Sequence, residues 1–412
     1  MRNGLNCSKT AVGLAGTLLS RFGRGRFGGM ANSPPAESRG DVGYDSLCEH
    51  HTAHALSAYF LSGFSDAYVV TIDGVGDCLS GSVWKATGGR LTLQRKYYYN
   101  ELTVGADYET FTAMMGFDPD RHCGKITGLA ALGRHNADCI TAVGEFFRAC
   151  WQSGQRNYFD RIHGSEAVTA LAELRALRGD RFGGFTREDL AYAIQHLAEQ
   201  RVLQVVRENV PDIARTDLAL AGGVFANVRI NQKVKELGCR NLFVVPAMDD
   251  CGLSLGAAFG QLASTTNLRP HRVPHMFVGP GYGERQIQEV LEESGVSYER
   301  VDNSAYAVAR LVADGKVVAR FDGRMEFGPR ALGNRSILYG TSDPSVNDWL
   351  NKRLRRSEFM PFAPATLGEC AEECYVGLRG CEHTAEFMTI TFDCTDYMKR
   401  VSPAVVHVDG TA

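Results

Sequence analysis

Several features typical of membrane, secreted or nucleic-acid-binding proteins are missing from this sequence of 412 residues. It has no run of about 18 apolar residues, the length that a helix needs to cross a bilayer. Its formal net charge is only −3 and its pI about 6.4. It therefore lacks the strongly basic surface by which proteins bind nucleic acid or anionic membranes. We expect neither nucleic acid nor a membrane among its partners.

Pairs of cysteines separated by two residues are also missing, although the chain has twelve Cys. Small disulfide-linked domains are short and dense in Cys, whereas these residues are scattered along a long chain. We predict reduced thiols in a cytoplasmic protein. Cys370, Cys374 and Cys381 with His383 form one local group, but they lack the paired spacing of zinc frameworks. Ordinary helix and loop cysteines are favoured there over a metal site.

Acidic residues are absent from the first 36 positions. The same stretch carries five basic residues, namely Arg2, Lys9, Arg21, Arg24 and Arg26. Gly, Ser and Arg dominate it, and a Pro-Pro pair follows. This composition predicts a disordered leader over residues 1–43, with a targeting peptide as the alternative.

The sequence after the leader indicates an α/β fold. The segment 67–72 (AYVVTI) is rich in strand formers and enters an Asp-Gly turn, and 218–220 (LAL) runs into a Gly-Gly pair. Because this unit of strand and glycine turn occurs twice, we predict two related α/β lobes that face one cleft. Prolines in a polar stretch at 271–283 indicate a linker. The predicted domains are therefore 44–270 and 284–412.

Two histidines four residues apart, His50 and His54, lie in a segment at 50–61 that is predicted to be helical. On a helix they share one face, and two imidazoles so placed can hold one divalent metal. Such a pair alone is more often a packing or surface feature. His51 points elsewhere.

Two carboxylates follow predicted strands and are candidate ligands for the same metal. Asp73 opens the sequence Asp-Gly-Val-Gly-Asp, in which Gly74 and Gly76 let backbone N–H groups approach a phosphate. Asp250 stands just before a predicted helix. A plain turn is the alternative for the first, and helix capping is the alternative for the second.

A glycine pair, Gly222-Gly223, separates a predicted strand from a helix that begins near Asn227. Glycines allow the backbone to approach a nucleotide, and a helix N-terminus favours anionic groups. For a glycine pair alone, a tight turn is the simpler interpretation.

The segment 324–336 (RMEFGPRALGNRS) is rich in arginine. Guanidinium groups bind phosphate and carboxylate oxygens with two parallel hydrogen bonds, so we predict a pocket for a phosphate donor. A solvated charged face is the alternative, but the Phe, Pro, Leu and Gly between the arginines favour the pocket.

These motifs, in this order, resemble the carbamoyltransferase family that includes nodulation-factor, cephalosporin and aminoglycoside O-carbamoyltransferases. The resemblance runs from about Tyr44 to the last residue. The matching stretches are CEHHTAHALSAYFLSGF, VVTIDGVGD, GKITGLAALG, LAGGVFANVRINQKV, VVPAMDDCGLSLGAAFG, MFVGPGY, RMEFGPRALGNRSIL and EFMPFAPATL.

The resemblance implies a two-lobed actin-like ATPase domain, followed by a domain similar to threonylcarbamoyl-adenylate synthases. It implies that the second domain makes carbamoyl-adenylate from carbamoyl phosphate and ATP. The first domain then transfers the carbamoyl group to a hydroxyl of a small-molecule acceptor. That acceptor could be a sugar, an antibiotic core or another secondary metabolite. Whether the chain forms a homodimer stays open.

The resemblance also implies roles for individual residues. An iron-like divalent metal, with Mn²⁺ and Mg²⁺ as alternatives, is expected on His50, His54, Asp73 and Asp250. Lys125 and Arg330 are expected to act in catalysis, and His51 is a candidate general base. The residues expected to face the nucleotide and donor are Asp73, Gly74, Gly76, Lys125, Gly222, Gly223, Asn227, Arg324, Glu326, Arg330, Asn334, Arg335 and Ser336.

Three departures from the family pattern bear on activity. Only 49 residues precede His50, so the first strands of the actin-like domain are expected to be missing. The sequence stops where relatives continue, so the second domain is expected to be truncated. Met360 stands where many relatives have Arg, which puts one donor contact in doubt.

Other functions are less consistent with the motifs. A shortened homologue that binds nucleotide and metal without catalysis is the main alternative. The arginine motif argues against a tRNA threonylcarbamoyl-transferase and against a sugar kinase. Zinc-finger pairs of the kind found in hydrogenase-maturation transferases are absent from the sequence.

Overall fold

The computed structural model describes residues 47–152, 158–355 and 360–412. The predicted leader at 1–43 lies outside these residues. The described chain is a mixed α/β fold. In this part of the chain, every helix is too short or too polar to span a bilayer.

A five-stranded sheet forms the centre of the fold, in the order β3-β2-β1-β4-β5. β1 pairs antiparallel with β2 and β2 with β3, while β1, β4 and β5 run parallel. Their carboxyl ends therefore meet at one edge, where α/β proteins commonly bind ligands. The strands are β1 (Asp66–Gly76), β2 (Leu79–Thr87), β3 (Arg90–Tyr98), β4 (Asp217–Ala221) and β5 (Asn241–Val244).

Nine helices of the described chain accompany this sheet. They are α1 (His50–Ser62), α2 (Val104–Met114), α3 (Cys123–Ala130), α4 (Ala137–Gln152), α5 (Tyr158–Ile162), α6 (Ala167–Phe182), α7 (Arg187–Asn209), α8 (Val228–Lys235) and α9 (Leu253–Thr265). Helix α1 is almost wholly buried and packs on β1 and α9. The approach of α9 is so close that a Cβ on Gly256 would lie 1.8 Å from the carbonyl oxygen of Ala53. This packing fixes the metal-ligand face of α1 relative to the sheet.

The predicted arrangement of the two strand-and-glycine units is wrong. They do not face each other from two lobes but belong to β1 and β4, which are neighbours in one sheet. The connection between these two strands contains β2, β3 and then the helices α2 to α7, and a long crossover of this kind allows β4 to run parallel to β1. The prediction of a turn at Asp73-Gly74 is also wrong. Strand β1 continues to Gly76, and the chain turns at Asp77 and Cys78, both of which have positive φ.

The last third of the chain contains short elements. They are α10 (Glu284–Glu293), α11 (Ser304–Ala313), β6 (Val318–Phe321), β7 (Arg335–Leu338), α12 (Ser345–Arg353), α13 (Ala371–Cys374), β8 (Tyr375–Val376), α14 (Glu382–Ala385), β9 (Asp393–Cys394) and α15 (Asp396–Val401). Helices α10 and α11 bury no residue. In contrast, Phe387, Ile390 and Phe392 join the core of the first sheet. The division at 271–283 stays a prediction, but the hydrophobic core crosses it.

The C-terminal segment also completes the outer edge of β5. The backbone N–H of Leu242 donates to the carbonyl of Gly380 at 2.8 Å, and the Thr384 hydroxyl donates to the Leu242 carbonyl at 2.6 Å. Asn231 of α8 donates to the Thr389 carbonyl at 2.7 Å. An uncovered edge strand would expose unpaired backbone groups, so this segment protects the sheet.

Candidate functional site

The four residues predicted to bind metal come together at one end of the sheet. His50 and His54 lie in the first two turns of α1, Asp73 lies near the carboxyl end of β1, and Asp250 follows β5. Asp73 Oδ2 is 3.1 Å from His50 Nε2 and 3.0 Å from His54 Nε2. Asp250 Oδ1 is 3.4 and 3.6 Å from the same nitrogens. One donor atom from each residue thus lies within 4.8 Å of all the others.

These distances fit a shared divalent ion. Ligand atoms about 2.1 Å from one ion lie about 3.0 Å apart in an octahedron and about 3.4 Å apart in a tetrahedron. The two His Nε2 atoms are 3.2 Å apart, and both face the same carboxylate oxygens. Two imidazole nitrogens with two carboxylates suit iron or manganese better than Mg²⁺, which prefers oxygen ligands.

Asp73 is held in place by backbone groups. Its Oδ1 accepts hydrogen bonds from the N–H groups of Gly74 at 2.8 Å and Gly223 at 3.2 Å, which leaves Oδ2 for the histidines. A Cβ on Gly76 would lie 2.2 Å from the His50 ring. These three glycines shape the candidate metal site in this structure, and their approach to a nucleotide stays a prediction.

The charges in the site are strongly coupled. Burial alone would raise the pKa of Asp73, but hydrogen bonds from His50 and His54 hold it well below its usual value. Burial would lower the pKa of His54, but its bonds to Asp250 and Asp73 raise it to about 9. A metal must displace the His54 proton, so its affinity should rise with pH.

The position of His51 does not support the predicted role as general base. Its side chain is fully buried, and Nδ1 lies 2.8 Å from the Thr71 hydroxyl. Burial lowers its pKa to about 4, so the ring is neutral and inaccessible to an acceptor. Successive residues on a helix are about 100° apart, so His51 does not share the face of His50 and points into the core.

Lys125 is buried in α3 with its Nζ 5.5 Å from the centre of the Phe117 ring. The Arg187 guanidinium lies 5.4 Å from the same ring. Gly124 and Thr127 of the same helix line a cavity, but Lys125 is not among its lining residues. Its nucleotide and catalytic roles stay predictions.

That cavity, of about 470 Å³, lies between α3, α8 and the C-terminal segment. Apolar residues from 360–364 and 390–392 form much of its wall, among them Met360. Two predicted site residues, Asn227 and Arg330, line it as well. The Asn227 amide caps α8 and donates to Gln195 Oε1 at 2.8 Å.

Arg330 is the member of the arginine motif that is placed to bind an anion. Among the described residues it forms no hydrogen bond or ion pair with the protein. Part of the side chain is open to solvent, yet the surrounding protein desolvates the guanidinium and lowers its pKa. An unpaired, partly desolvated guanidinium in a cavity is suited to phosphate or carboxylate.

The other members of the motif hold their own loop together. Arg324 donates to the carbonyls of Val278 and Gly279, and Arg335 donates to that of Asp322. Asn334 Nδ2 donates to the Arg324 carbonyl, and the Ser336 hydroxyl accepts from the Gly333 N–H. These side chains stabilise the loop, and their contacts to the donor stay predictions.

Glu326 organises this loop from inside. Its buried Oε1 accepts the N–H groups of Leu332, Asn334 and Arg335 at 2.8, 2.8 and 3.2 Å. Burial would raise the pKa of Glu326, but these backbone donors outweigh it and hold the pKa below its usual 4.5. Glu326 thus positions the segment that carries Arg330 rather than facing the cavity.

Replacing Glu326 by Gln should lower the free energy of unfolding by about 2 kcal/mol at pH 7, because bonds to a charged acceptor become neutral ones. The native pKa lies below the unfolded one, so this stabilisation is present above about pH 4.5 and is lost as pH falls through the native value. Urea unfolding at pH 7 and pH 3 measures it. The exposed Glu284→Gln is the control, and an equal loss in both variants would contradict the assignment.

The cysteine group near the C-terminus does not assemble as a zinc site among the described residues. His383 lies 2.9 Å from the Val273 carbonyl, and Cys374 packs with Cys394 in a small apolar cluster. The cysteines that the structure describes form no disulfide bond with one another.

A second group of ligand-type side chains was not predicted. Glu109, Asp120 and His163 bring one atom each within 4.8 Å of one another. They come from α2, a loop and the turn after α5. Nothing in their spacing signals this proximity, because only the packing of α2 against α5 creates it.

Comparison with known sequences identifies matches to one protein family along most of the chain. Residues 38–259 match the carbamoyltransferase N-terminus and residues 309–412 match the carbamoyltransferase C-terminus. The chain is 33% identical to nodulation protein NolO of Bradyrhizobium diazoefficiens, over 88% of this chain and 66% of that protein. It is 32% identical to nodulation protein NolNO of Sinorhizobium fredii, over 89% of this chain and 54% of that protein.

An uncharacterised protein of Methanocaldococcus jannaschii is 30% identical over 97% of this chain and 68% of its own length. The chain thus spans between about half and two thirds of the length of these curated relatives. A solved structure, component A of (R)-2-hydroxyglutaryl-CoA dehydratase from Acidaminococcus fermentans, aligns with 52% of this chain and 68% of its own at 16% identity and a TM-score of 0.32. A similarity that low carries no argument about the fold. The two matched regions and these relatives show that the chain belongs to the carbamoyltransferase family.

Proposed function

We propose that this chain acts in ATP-dependent O-carbamoyl transfer. The carbamoyl group would come from carbamoyl phosphate, pass through carbamoyl-adenylate, and end on a hydroxyl of a small-molecule acceptor. The convergence of His50, His54, Asp73 and Asp250 carries this proposal. It supports a metal-dependent transfer site in a chain of the carbamoyltransferase family. The actin-like first domain and the adenylate-forming second domain are parts of the same proposal.

The four ligands would hold Fe²⁺, with Mn²⁺ and Mg²⁺ as alternatives. A bound divalent ion polarises an acyl oxygen and neutralises phosphate charge, which makes the carbamoyl carbon a better electrophile. The Gly223 and Gly74 N–H groups keep Asp73 turned toward the histidines. The role of these backbone groups is to fix the ligand before substrate arrives.

Arg330 would bind the phosphate of the donor or of ATP. Its guanidinium has no protein partner among the described residues, and the cavity that it lines has room for a small ligand. Apolar residues from 360–364 and 390–392 form much of the cavity wall, and apolar surroundings strengthen an ionic contact. The loop bonds of Glu326 hold the segment that carries Arg330.

The test is carbamoyl-phosphate-dependent exchange of pyrophosphate into ATP by the purified chain with Fe²⁺. Arg330→Ala should lower this exchange by about 10- to 100-fold, because it removes a charge-assisted contact to phosphate. Arg285→Ala, at an exposed surface ion pair, is the matched control and should exchange like the wild type. Folded, metal-binding protein without exchange would contradict adenylate formation and favour a homologue that only binds nucleotide or metal.

A further inference from the structure

A histidine–glutamate pair lies beside the strand end that carries Asp73. Glu109 Oε2 is 2.9 Å from His163 Nε2. Glu109 Oε1 lies 3.2 Å from the position that a Cβ on Gly74 would occupy, and the Phe159 ring lies 3.7 Å from it. Gly74 follows Asp73 directly, so the pair is next to the candidate metal centre.

His163 is hydrogen-bonded through one ring nitrogen, Nε2, and has no hydrogen bond at Nδ1 among the described residues. In the tautomer with the proton on Nε2, His163 donates a hydrogen bond to Glu109, and Nδ1 carries the lone pair. The Oδ1 atom of Asp120 lies 3.6 Å from Nδ1, which is beyond hydrogen-bond distance. The side chain of His163 is 34% exposed, and its ring stacks edge-on against Phe159 at 4.9 Å. The ring is therefore partly open to solvent, and Nδ1 is the ring nitrogen without a hydrogen bond among the described residues.

The charges around the pair favour proton uptake by His163. Its hydrogen bond to Glu109 raises its pKa, burial opposes this, and the charges of Glu109, Asp120 and Asp160 add to the rise. Burial raises the pKa of Glu109, the bond from His163 lowers it, and the charges of Asp73 and Asp120 raise it further. A carboxylate that orients a histidine and stabilises its imidazolium is the arrangement used by general bases in acyl transfer.

We propose that His163, oriented by Glu109, is the general base that deprotonates the acceptor hydroxyl. This inference rests on the proposed carbamoyl transfer and supplies the base that His51 cannot provide. The acceptor O–H bond breaks and its proton goes to His163 Nδ1. The acceptor oxygen bonds to the carbamoyl carbon, and the bond from that carbon to the AMP phosphate oxygen breaks. AMP leaves with the electron pair.

The same three side chains could instead hold a second cation, and the geometry favours the base. The two ring nitrogens of His163 face different carboxylates, Glu109 and Asp120. A metal ion would bind only one nitrogen. Asp120 is 70% exposed and lies on a loop, so it is poorly fixed as a ligand.

The experiment compares the two half-reactions in the full chain with Fe²⁺, ATP and carbamoyl phosphate. Pyrophosphate exchange reports adenylate formation, and AMP release with glycerol as the probe hydroxyl reports transfer. His163→Gln should leave exchange unchanged and lower AMP release by about 100-fold. His196→Gln, on α7 and stacked on Tyr192, is the matched control and should leave both rates unchanged.

The pH profile separates a base from a merely structural residue. AMP release by the wild type should rise with pH as His163 loses its proton. Glu109→Gln should move this rise in the rate of AMP release to lower pH, since it removes the charge that raises the pKa of His163. In His163→Gln the rise should be absent.

Three results would overturn the assignment. These are AMP release and a pH profile unchanged in His163→Gln, a wild type that exchanges pyrophosphate but never releases AMP, and a second equivalent of bound metal that disappears in His163→Gln. A wild type without exchange would contradict the proposed function itself, and the base with it.

Discussion

Asp73→Asn is expected to weaken Fe²⁺ binding by at least about 100-fold, because even residues one shell from a metal cost 10- to 100-fold when replaced. Asp73 is the residue that both histidines contact. Asn preserves the size and the oxygen that accepts the Gly74 and Gly223 N–H groups. It turns an uncharged amide toward His50 and His54 and removes the negative charge that offsets the ion. Anaerobic competition with a chromogenic chelator measures the affinity.

Asp249→Asn is the matched control for this change. Asp249 neighbours a proposed ligand, but its carboxylate accepts the Cys251 N–H at 3.1 Å and caps the turn. Asn caps equally well, so binding should be unchanged. If Asp73→Asn binds Fe²⁺ as tightly as the wild type, the four residues are not the metal site. Circular dichroism checks that both variants fold.

Gly222→Ala is expected to lower the free energy of unfolding by at least about 3 kcal/mol, from backbone strain and overpacking together. Gly222 has φ +102 and ψ 151, a region open essentially only to glycine. A Cβ there would lie 2.2 Å from the Ile72 carbonyl oxygen, which is backbone and cannot move aside. The contact would strain the backbone where β1 and the end of β4 lie side by side, at the residue before Asp73. Urea unfolding gives the value.

Gly238→Ala separates the two contributions. Gly238 also has positive φ, +91, but nothing lies within 4 Å of its Cβ position. This variant should cost only about 1 kcal/mol, the price of the left-handed conformation alone. Equal costs at the two positions would show that the contact with Ile72 relaxes.

The metal site could be predicted largely from sequence because its residues lie at sheet and helix ends that have strong local signals. The helix predicted at 50–61 is confirmed as His50–Ser62, and the strand at 67–72 is confirmed within Asp66–Gly76. A four-residue spacing places His50 and His54 on one face whatever packs around them. Asp73 lies near the carboxyl end of β1 and Asp250 follows β5, and the carboxyl ends of parallel strands necessarily lie at the same edge of the sheet.

The roles of the other candidate site residues depend on packing that a single sequence does not reveal. A motif of arginines indicates anions, but it does not tell which guanidinium bonds to its own loop, as Arg324 and Arg335 do, and which stays unpaired, as Arg330 does. The same holds for His51, whose burial follows from the approach of α1 to the sheet. His163 gave no signal, because its partner Glu109 lies on a distant helix.

The covering of β5 by the C-terminal segment has a consequence for the order of folding. The carbonyl that accepts the Leu242 N–H belongs to Gly380, so the outer edge of β5 stays unpaired until Gly380 has been synthesised and has left the ribosome. Contacts so far apart in sequence form slowly, and unpaired edges invite aggregation in the meantime. A ribosome-bound chain that has already formed β1 and β4 therefore still exposes the unpaired, aggregation-prone edge of β5 near the forming metal site.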